Sequence, residues 1–273
     1  MHEISLAAER IFSIGSFDVT NSIIVTVVIS VLITIFAFLF RVKITTAKKI
    51  SKTQNAVEMV FDGAFSLMDG VTNNHKNSKR FFALVMTLFI FILCANWSGL
   101  IPGVGPIGIH EEKTVVEQSE ATRTDATTET EASANEAPGT ESIFVPLFRA
   151  PSSDLNTTIG LAIISLLSFQ IFGIATIGFF KYLRKFLNFK GPIEFFLGIL
   201  EIVSELAKMI SLSFRLFGNV FAGEVLLLVI AFLVPIIAPL PFFALEIFVG
   251  LIQAFIFAML TLVFLTVATM ESH

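Results

Sequence analysis

Residues 192–234 form one apolar run that nevertheless contains Glu201, Glu205, Lys208, Arg215, Asn219 and Glu224. Few folds accept such a run. A straight helix over it would be roughly 65 Å long, about twice the thickness of a bilayer's hydrocarbon core. It must tilt steeply, bend or break. A charge at membrane depth costs at least about 2.5–3.5 kcal/mol on insertion scales, so these side chains should face protein or water and mark function. Four further apolar runs lie at about 21–40, 81–101, 155–180 and 236–270. The chain is 15% charged and 55% hydrophobic, against about 25% charged in soluble domains. This excludes an ordinary water-soluble enzyme. The expected fold is an all-α integral membrane protein with five membrane-embedded helical regions, lipid being one partner. A basic nucleic-acid footprint is absent. The single cysteine, Cys94, allows no intrachain disulfide. No Cys/His spacing suits zinc, and nothing calls for a cofactor.

The connections suggest an orientation. Arg41, Lys43, Lys48, Lys49 and Lys52 follow the first run, Lys76, Lys79 and Arg80 precede the second, and Lys181, Arg184, Lys185 and Lys190 follow the third. The remaining loops carry only Arg10, Lys113, Arg123 and Arg149. The positive-inside rule then places the basic segments in the cytoplasm, the N-terminus outside and the C-terminus inside. Residues 1–20 lack a basic segment ahead of an apolar stretch and do not read as a cleaved signal. They form an external N-terminal segment. Residues 21–101 hold the first two spans. Between them, Val57, Val60, Phe61, Ala64, Phe65 and Met68 recur at helical spacing, predicting an amphipathic helix near 52–72. It lies either on the membrane surface or against the rest of the chain. Residues 102–154 form an external loop, whose acidic Glu/Thr/Ser/Ala-rich insert at 111–140 is expected to be solvated and mostly disordered. Residues 155–270 hold the third span and a hairpin of two long helices turning near Pro235, Pro239 and Pro241. Trp97 and Tyr182 sit near span ends, where amphipathic rings favour the interface.

Helical geometry sorts the intramembrane charges. At about 100° per residue, Glu201, Ser204, Lys208, Ser211, Arg215 and Asn219 share one stripe, and Glu224 points about 180° from Arg215. In the next run Glu246 and Gln253 share a face. Folding the hairpin about Pro235 brings Glu224 level with Glu246, and Arg215 roughly level with Gln253. That predicts a carboxylate pair in a water-accessible pocket and an Arg–Gln pair at a barrier. Arginine does not deprotonate in proteins, whereas carboxylates take and release protons with an affinity set by burial and neighbouring charge. The set suits ion translocation. Three readings fit the charges: a subunit of an ion-driven machine, a self-contained carrier, or an assembly protein whose charges hold partners. Glu201 and Lys208 fit an interfacial ion pair equally well. The absence of an internal repeat argues against the carrier.

The segment Ser211-Leu-Ser-Phe-Arg-Leu-Phe-Gly-Asn-Val-Phe-Ala-Gly-Glu224 closely resembles the signature of the F-type ATP synthase a-subunit family, also called the ATPase A chain family. Leu251-Ile-Gln-Ala-Phe-Ile-Phe257 resembles its second signature, and Asn96-Trp-Ser-Gly-Leu-Ile-Pro102 and Pro151-Ser-Ser-Asp-Leu-Asn-Thr-Thr158 resemble two further stretches. The resemblance implies a static, non-catalytic channel subunit in a bacterial plasma membrane. Its last two helices would lie strongly tilted against a rotating c-ring. Other ATP synthase subunits, including the b stator, would be partners. Two aqueous half-channels would load and unload protons on c-ring carboxylates. By motif match Arg215 is the essential arginine separating them. Asn219, Glu224, Glu246 and Gln253 fall on polar positions around the external half-channel and the arginine, and Glu201 on a position of the cytoplasmic one. The insert, a Glu at 246 where other members carry His, and Gly99 where some carry an acid depart from the pattern.

Overall fold

The structure is a computed structural model that describes residues 10–14, 17–43, 52–101, 108–114, 140–146, 149–186, 191–234 and 237–270. Strands β1 (Arg10–Ile14) and β2 (Phe17–Thr20) pair antiparallel ahead of helix α1 (Asn21–Lys43). Helices α2 (Lys52–Thr72) and α3 (His75–Ser98) follow, then an antiparallel pair β3 (Gly108–Thr114) and β4 (Thr140–Pro146). A 3₁₀ turn at Pro151–Ser153 leads into α4 (Leu155–Ile177), α5 (Phe179–Phe186), α6 (Pro192–Leu233) and α7 (Pro239–Thr269). Among the described residues, five helices are long and apolar enough to cross a membrane: α1, α3, α4, α6 and α7. The architecture is thus that of an all-α integral membrane protein. Both small hairpins are additions to the expected fold. Glu111–Thr114 pair with Thr140–Ile143 in strands rather than forming open coil, because extended backbone there satisfies its N–H and C=O groups across the pair. Residues 115–139 of the insert lie outside the described residues, as do Lys48, Lys49, Lys190, Pro235 and 271–273.

Helix α6 is unbroken over 42 residues, which settles the choice the sequence left open. At roughly 63 Å it exceeds the hydrocarbon core and must tilt to remain in contact with it. Pro192 opens it and Pro239 opens α7, positions where the missing N–H costs nothing.

The core is a bundle of α3, α4, α6 and α7, with α1 set against α3. Helix α3 packs most extensively on α7, while α4 is wedged between α6 and α7. Near one end, Leu88, Ile92, Leu161, Leu212, Leu216 and Phe257 are buried together. Nearer the other end, Met68, Phe81, Phe169, Leu262 and Leu265 close a second cluster that draws in α2. Between apolar helices in lipid, small residues and hydroxyls provide much of the adhesion. Thr158 and Ser213 join α4 to α6 at 3.3 Å, and Ser165 and Thr261 join α4 to α7 at 2.9 Å.

Both ends are fastened by specific polar groups. At the first, Asp154 caps α4 by accepting from the Asn156 N–H at 3.0 Å, and accepts from Ser22 Oγ at 2.6 Å, which pins α1. This is the work of the Asp in the Asp-Leu-Asn-Thr stretch. At the other end, Asn74 caps α3, accepting from the N–H groups of Lys76 and Asn77. The Ser78 hydroxyl and the His75 ring beside Asp69 hold its carboxyl below the ordinary carboxylate range. Phe61 and Phe65 of α2 meet Phe82 of α3 at 5.8 and 5.4 Å between centroids, while Met59 and Val60 remain exposed. The C-terminal half of α2 packs on the bundle, and part of its apolar surface stays open.

Candidate functional site

The polar positions of α6 and α7 meet along the hairpin. Gln253 is 2% exposed, and its Oε1 accepts from Asn219 Nδ2 at 2.8 Å. One turn towards the N-terminus of α6, Arg215 lies at the edge of an exposed face and donates from Nη2 to Ser211 Oγ at 3.3 Å. The partner of Gln253 is thus Asn219, and the anticipated Arg–Gln pair does not form. The reason is the turn. Helix α6 runs to Leu233 and α7 begins at Pro239. Asn219 stands 14 residues before the first and Gln253 14 residues after the second, so these two are level and Arg215 is one turn further along α6.

Glu246 of α7 meets α6 next to Glu224. The Glu246 carboxylate lies directly on Gly223, the residue beside Glu224, in the space a side chain at 223 would need. Glu224 is half-buried, and its Oε2 is enclosed with no hydrogen-bond partner among the described residues. A buried carboxylate oxygen without a donor is costly.

Helix α3 holds α7 at this level. Asn96 Nδ2 donates to the Gly250 carbonyl at 2.9 Å, and Trp97 Nε1 to the Ile247 carbonyl at 3.1 Å. Gly250 is what allows the approach, since a Cβ there would stand 3.2 Å from Asn96 Cβ. Trp97 is therefore an anchor of α7 as well as an end-of-span ring. Gly99 is packed beneath Ala150, whose Cβ would be 2.7 Å from an added Cβ; no acid fits at 99 without a shift. Replacing Asn96 by Leu should cost about 1–3 kcal/mol, the usual penalty for stranding a buried hydrogen-bonding group, read as a lower midpoint of thermal unfolding in detergent. An unchanged midpoint would show that Asn96 does not hold α7.

Towards the N-terminus of α6, Glu201 is half-buried. One turn on, Glu205 is 7% exposed and accepts from Gln170 Nε2 of α4, while Gln170 Oε1 accepts from the Tyr182 hydroxyl of α5. Lys208 Nζ sits 5.5 Å from the Phe264 ring centroid. Tyr182, read from sequence as an interfacial ring, is 4% exposed. Its burial inside the bundle, together with the charges of Glu205 and Glu201, pushes its phenol well above the ordinary range. Sequence reasoning left Gln170 and Tyr182 out of the site and counted Glu205 only as one charge among several. The available signals were an amide in the middle of an uncharged span and a second carboxylate one turn from Glu201. Among the described residues no three His, Cys, Asp or Glu side chains converge as a metal site requires.

These positions fall inside a recognised sequence family. The family model described as ATP synthase A chain matches residues 23–266. The chain belongs to the ATP synthase A chain family. Among individual proteins, ATP synthase subunit a of Campylobacter jejuni (serotype O:2) is 34% identical over 81% of this chain and 79% of its own length. The Campylobacter concisus subunit a is 31% identical over 90% of this chain and 88% of its own. The Moorella thermoacetica subunit a is 29% identical over 94% of both. Family membership and the five apolar helices make this a multi-pass membrane protein.

Proposed function

We propose that this chain is the static, non-catalytic a subunit of a bacterial F-type ATP synthase, carrying protons between each face of the membrane and the carboxylates of a rotating c-ring. The observation that carries the reading is the placement of Arg215. It is a permanent cation on an open helix face, between the Glu246–Gly223–Glu224 pocket and the Glu201 region. Along α6, Glu224 lies roughly 14 Å from Arg215 in one direction and Glu201 roughly 21 Å in the other. Two acidic regions separated by a fixed charge match two half-channels with a barrier between them. Asn219 and Gln253 tie the helices at the barrier, and Glu224 and Glu246 relay protons in the external half-channel. The open face beside Arg215 carries Leu206, Ile210 and Phe214, each about half exposed. These residues, with the small Gly218 and Ala222, suit close contact with another helix, here the ring.

Orientation follows from the same reading. Arg41 lies in the last turn of α1, Lys52 opens α2, Lys76, Lys79 and Arg80 lie near the start of α3, and Lys181 lies in α5 ahead of α6. The positive-inside rule makes these segments cytoplasmic, with the N-terminus outside. The b stator and the remaining ATP synthase subunits are further partners.

A subunit of this kind conducts only with its ring. Liposomes holding the purified chain alone should show no proton flow above the lipid background, and liposomes holding chain, ring and stator together should conduct. Conduction by the chain alone would favour a self-contained channel instead.

A further inference from the structure

We propose that Trp97 is a positioning residue for proton transfer: with Asn96 it clamps one turn of α7 and so seats the Glu246 carboxylate on Gly223. This rests on the ion-conducting reading above, in which Glu246 is a proton relay, and adds what keeps that relay in place.

The end of the α6–α7 hairpin nearest its turn is thinly packed. Gly223 is the last buried residue of α6, and Gly250 is the first of α7. Among the described residues none from 237 to 249 is buried, and Leu240 and Phe248 are mostly exposed. Glu246 therefore stands on a stretch of helix that burial does not fix. Its carboxylate nevertheless has a defined seat, in the space of a side chain at 223. A proton relay works over hydrogen-bond distances, so α7 must be fixed in rotation as well as in height for one carboxylate to stay on one glycine.

Two consecutive residues of α3 do this. Asn96 Nδ2 donates to the Gly250 carbonyl at 2.9 Å, and Trp97 Nε1 donates to the Ile247 carbonyl at 3.1 Å. Acceptors three residues apart stand about 4.5 Å apart along a helix and about 60° apart around it. Gripping both resists sliding and turning together. The indole also fills the notch left by Gly250, with Cδ1 and Nε1 lying 3.5 and 3.6 Å from where a Cβ would stand. The Trp97 bond is the one nearer the turn, and it holds the residue next to Glu246. Among the described residues no other side-chain hydrogen bond reaches 237–249; the next tie, Asn219 to Gln253, lies deeper. An indole that served only the membrane interface would turn its N–H to water or headgroups. This one turns it to α7. One turn of α7 is thus held between two glycines: Gly250 admits α3 on one side, and Gly223 admits Glu246 on the other.

The test uses membrane vesicles containing the assembled F0 complex without its catalytic head. Passive proton flow is driven by a potassium diffusion potential and normalised to the amount of assembled complex. Trp97→Phe keeps a ring for the Gly250 notch and removes the donor; flow should fall about fivefold, the worth of one net hydrogen bond. Gly250→Ala places a Cβ 3.2 Å from Asn96 Cβ and loosens the same clamp from the α7 side, so it should lower flow by a similar factor. Glu246→Gln should lower flow about tenfold, as expected for the loss of a positioned acid. Adding Trp97→Phe or Gly250→Ala to Glu246→Gln should cause no further loss, because the carboxylate they position is already gone. Wild-type flow in Trp97→Phe overturns the proposal. So does a further fivefold loss in the Glu246→Gln background, which would make Trp97 act elsewhere, and so does a fall in assembled complex that accounts for the whole effect. If Glu246→Gln is impaired while Trp97→Phe flows normally, this assignment alone fails. If Glu246→Gln itself flows as wild type, the relay reading of Glu246 fails and takes this assignment with it.

Discussion

Arg215→Ala is expected to reduce ATP-driven proton uptake in inverted vesicles to background, at unchanged amounts of assembled complex and with ATP hydrolysis sites intact. The argument is electrostatic. Arg215 makes no ion pair among the described residues, only a hydrogen bond to Ser211, and it opens onto an exposed face. Its charge is available to whatever passes that face. A unit charge at about 4 Å in surroundings of effective dielectric near 20 is worth ~4 kcal/mol to a carboxylate, equivalent to about three powers of ten in its ionisation constant. Without it, a ring carboxylate would not release its proton at the barrier, and nothing positive would oppose protons leaking between the two acidic regions. Arg215→Lys should fail nearly as badly, because an ammonium neutralises on desolvation where a guanidinium does not. Normal uptake in either variant would mean that the arginine serves packing alone.

The second large effect is expected at Gly223. This residue is buried in the middle of a helix, where glycine costs roughly 0.5–1 kcal/mol relative to alanine, so a steric reason for it is needed. The structure supplies one: the Glu246 carboxylate occupies the space of a side chain at 223. Gly223→Leu should expel that carboxylate and separate α6 from α7, with overpacking of about 1–3 kcal/mol. Pumping should drop at least about tenfold, the loss expected when a positioned proton carrier is displaced. Adding Glu246→Ala to Gly223→Leu should relieve the crowding and restore the amount of assembled complex, but not the pumping rate, since the acid is gone. A Gly223→Leu enzyme that pumps normally would show that Glu246 has no role where it lies.

Much of this was legible beforehand, and the reasons are local. Long apolar runs can be satisfied in lipid only as helices, so α1, α3, α4, α6 and α7 follow from composition and length. Arg215, Asn219 and Glu224 could be sorted onto faces because helical periodicity is rigid over two or three turns. The partners were harder. Gln253 was matched to Arg215 by counting from Pro235, and its partner is Asn219, because where α6 ends and α7 begins, at Leu233 and Pro239, sets which residues face each other. Gln170 and Tyr182 are 12 residues apart and lie 35 and 23 residues from Glu205; no periodicity links α4, α5 and α6, and only packing does.

The sequence by itself determined what each helix would have to hide: a permanent cation, several acids and an amide, placed at known intervals along apolar cylinders. Their cost in lipid made them readable as function, because insertion energy depends on residue type and depth rather than on neighbours. The tertiary structure alone decided which of them meet. Close approach depends on small residues in register, such as Gly223 under Glu246, Gly250 beside Asn96 and Gly173 beneath Tyr182. Hydrogen bonds between helices act over about 3 Å and are lost with a shift of one turn, so helix register sets the site's geometry.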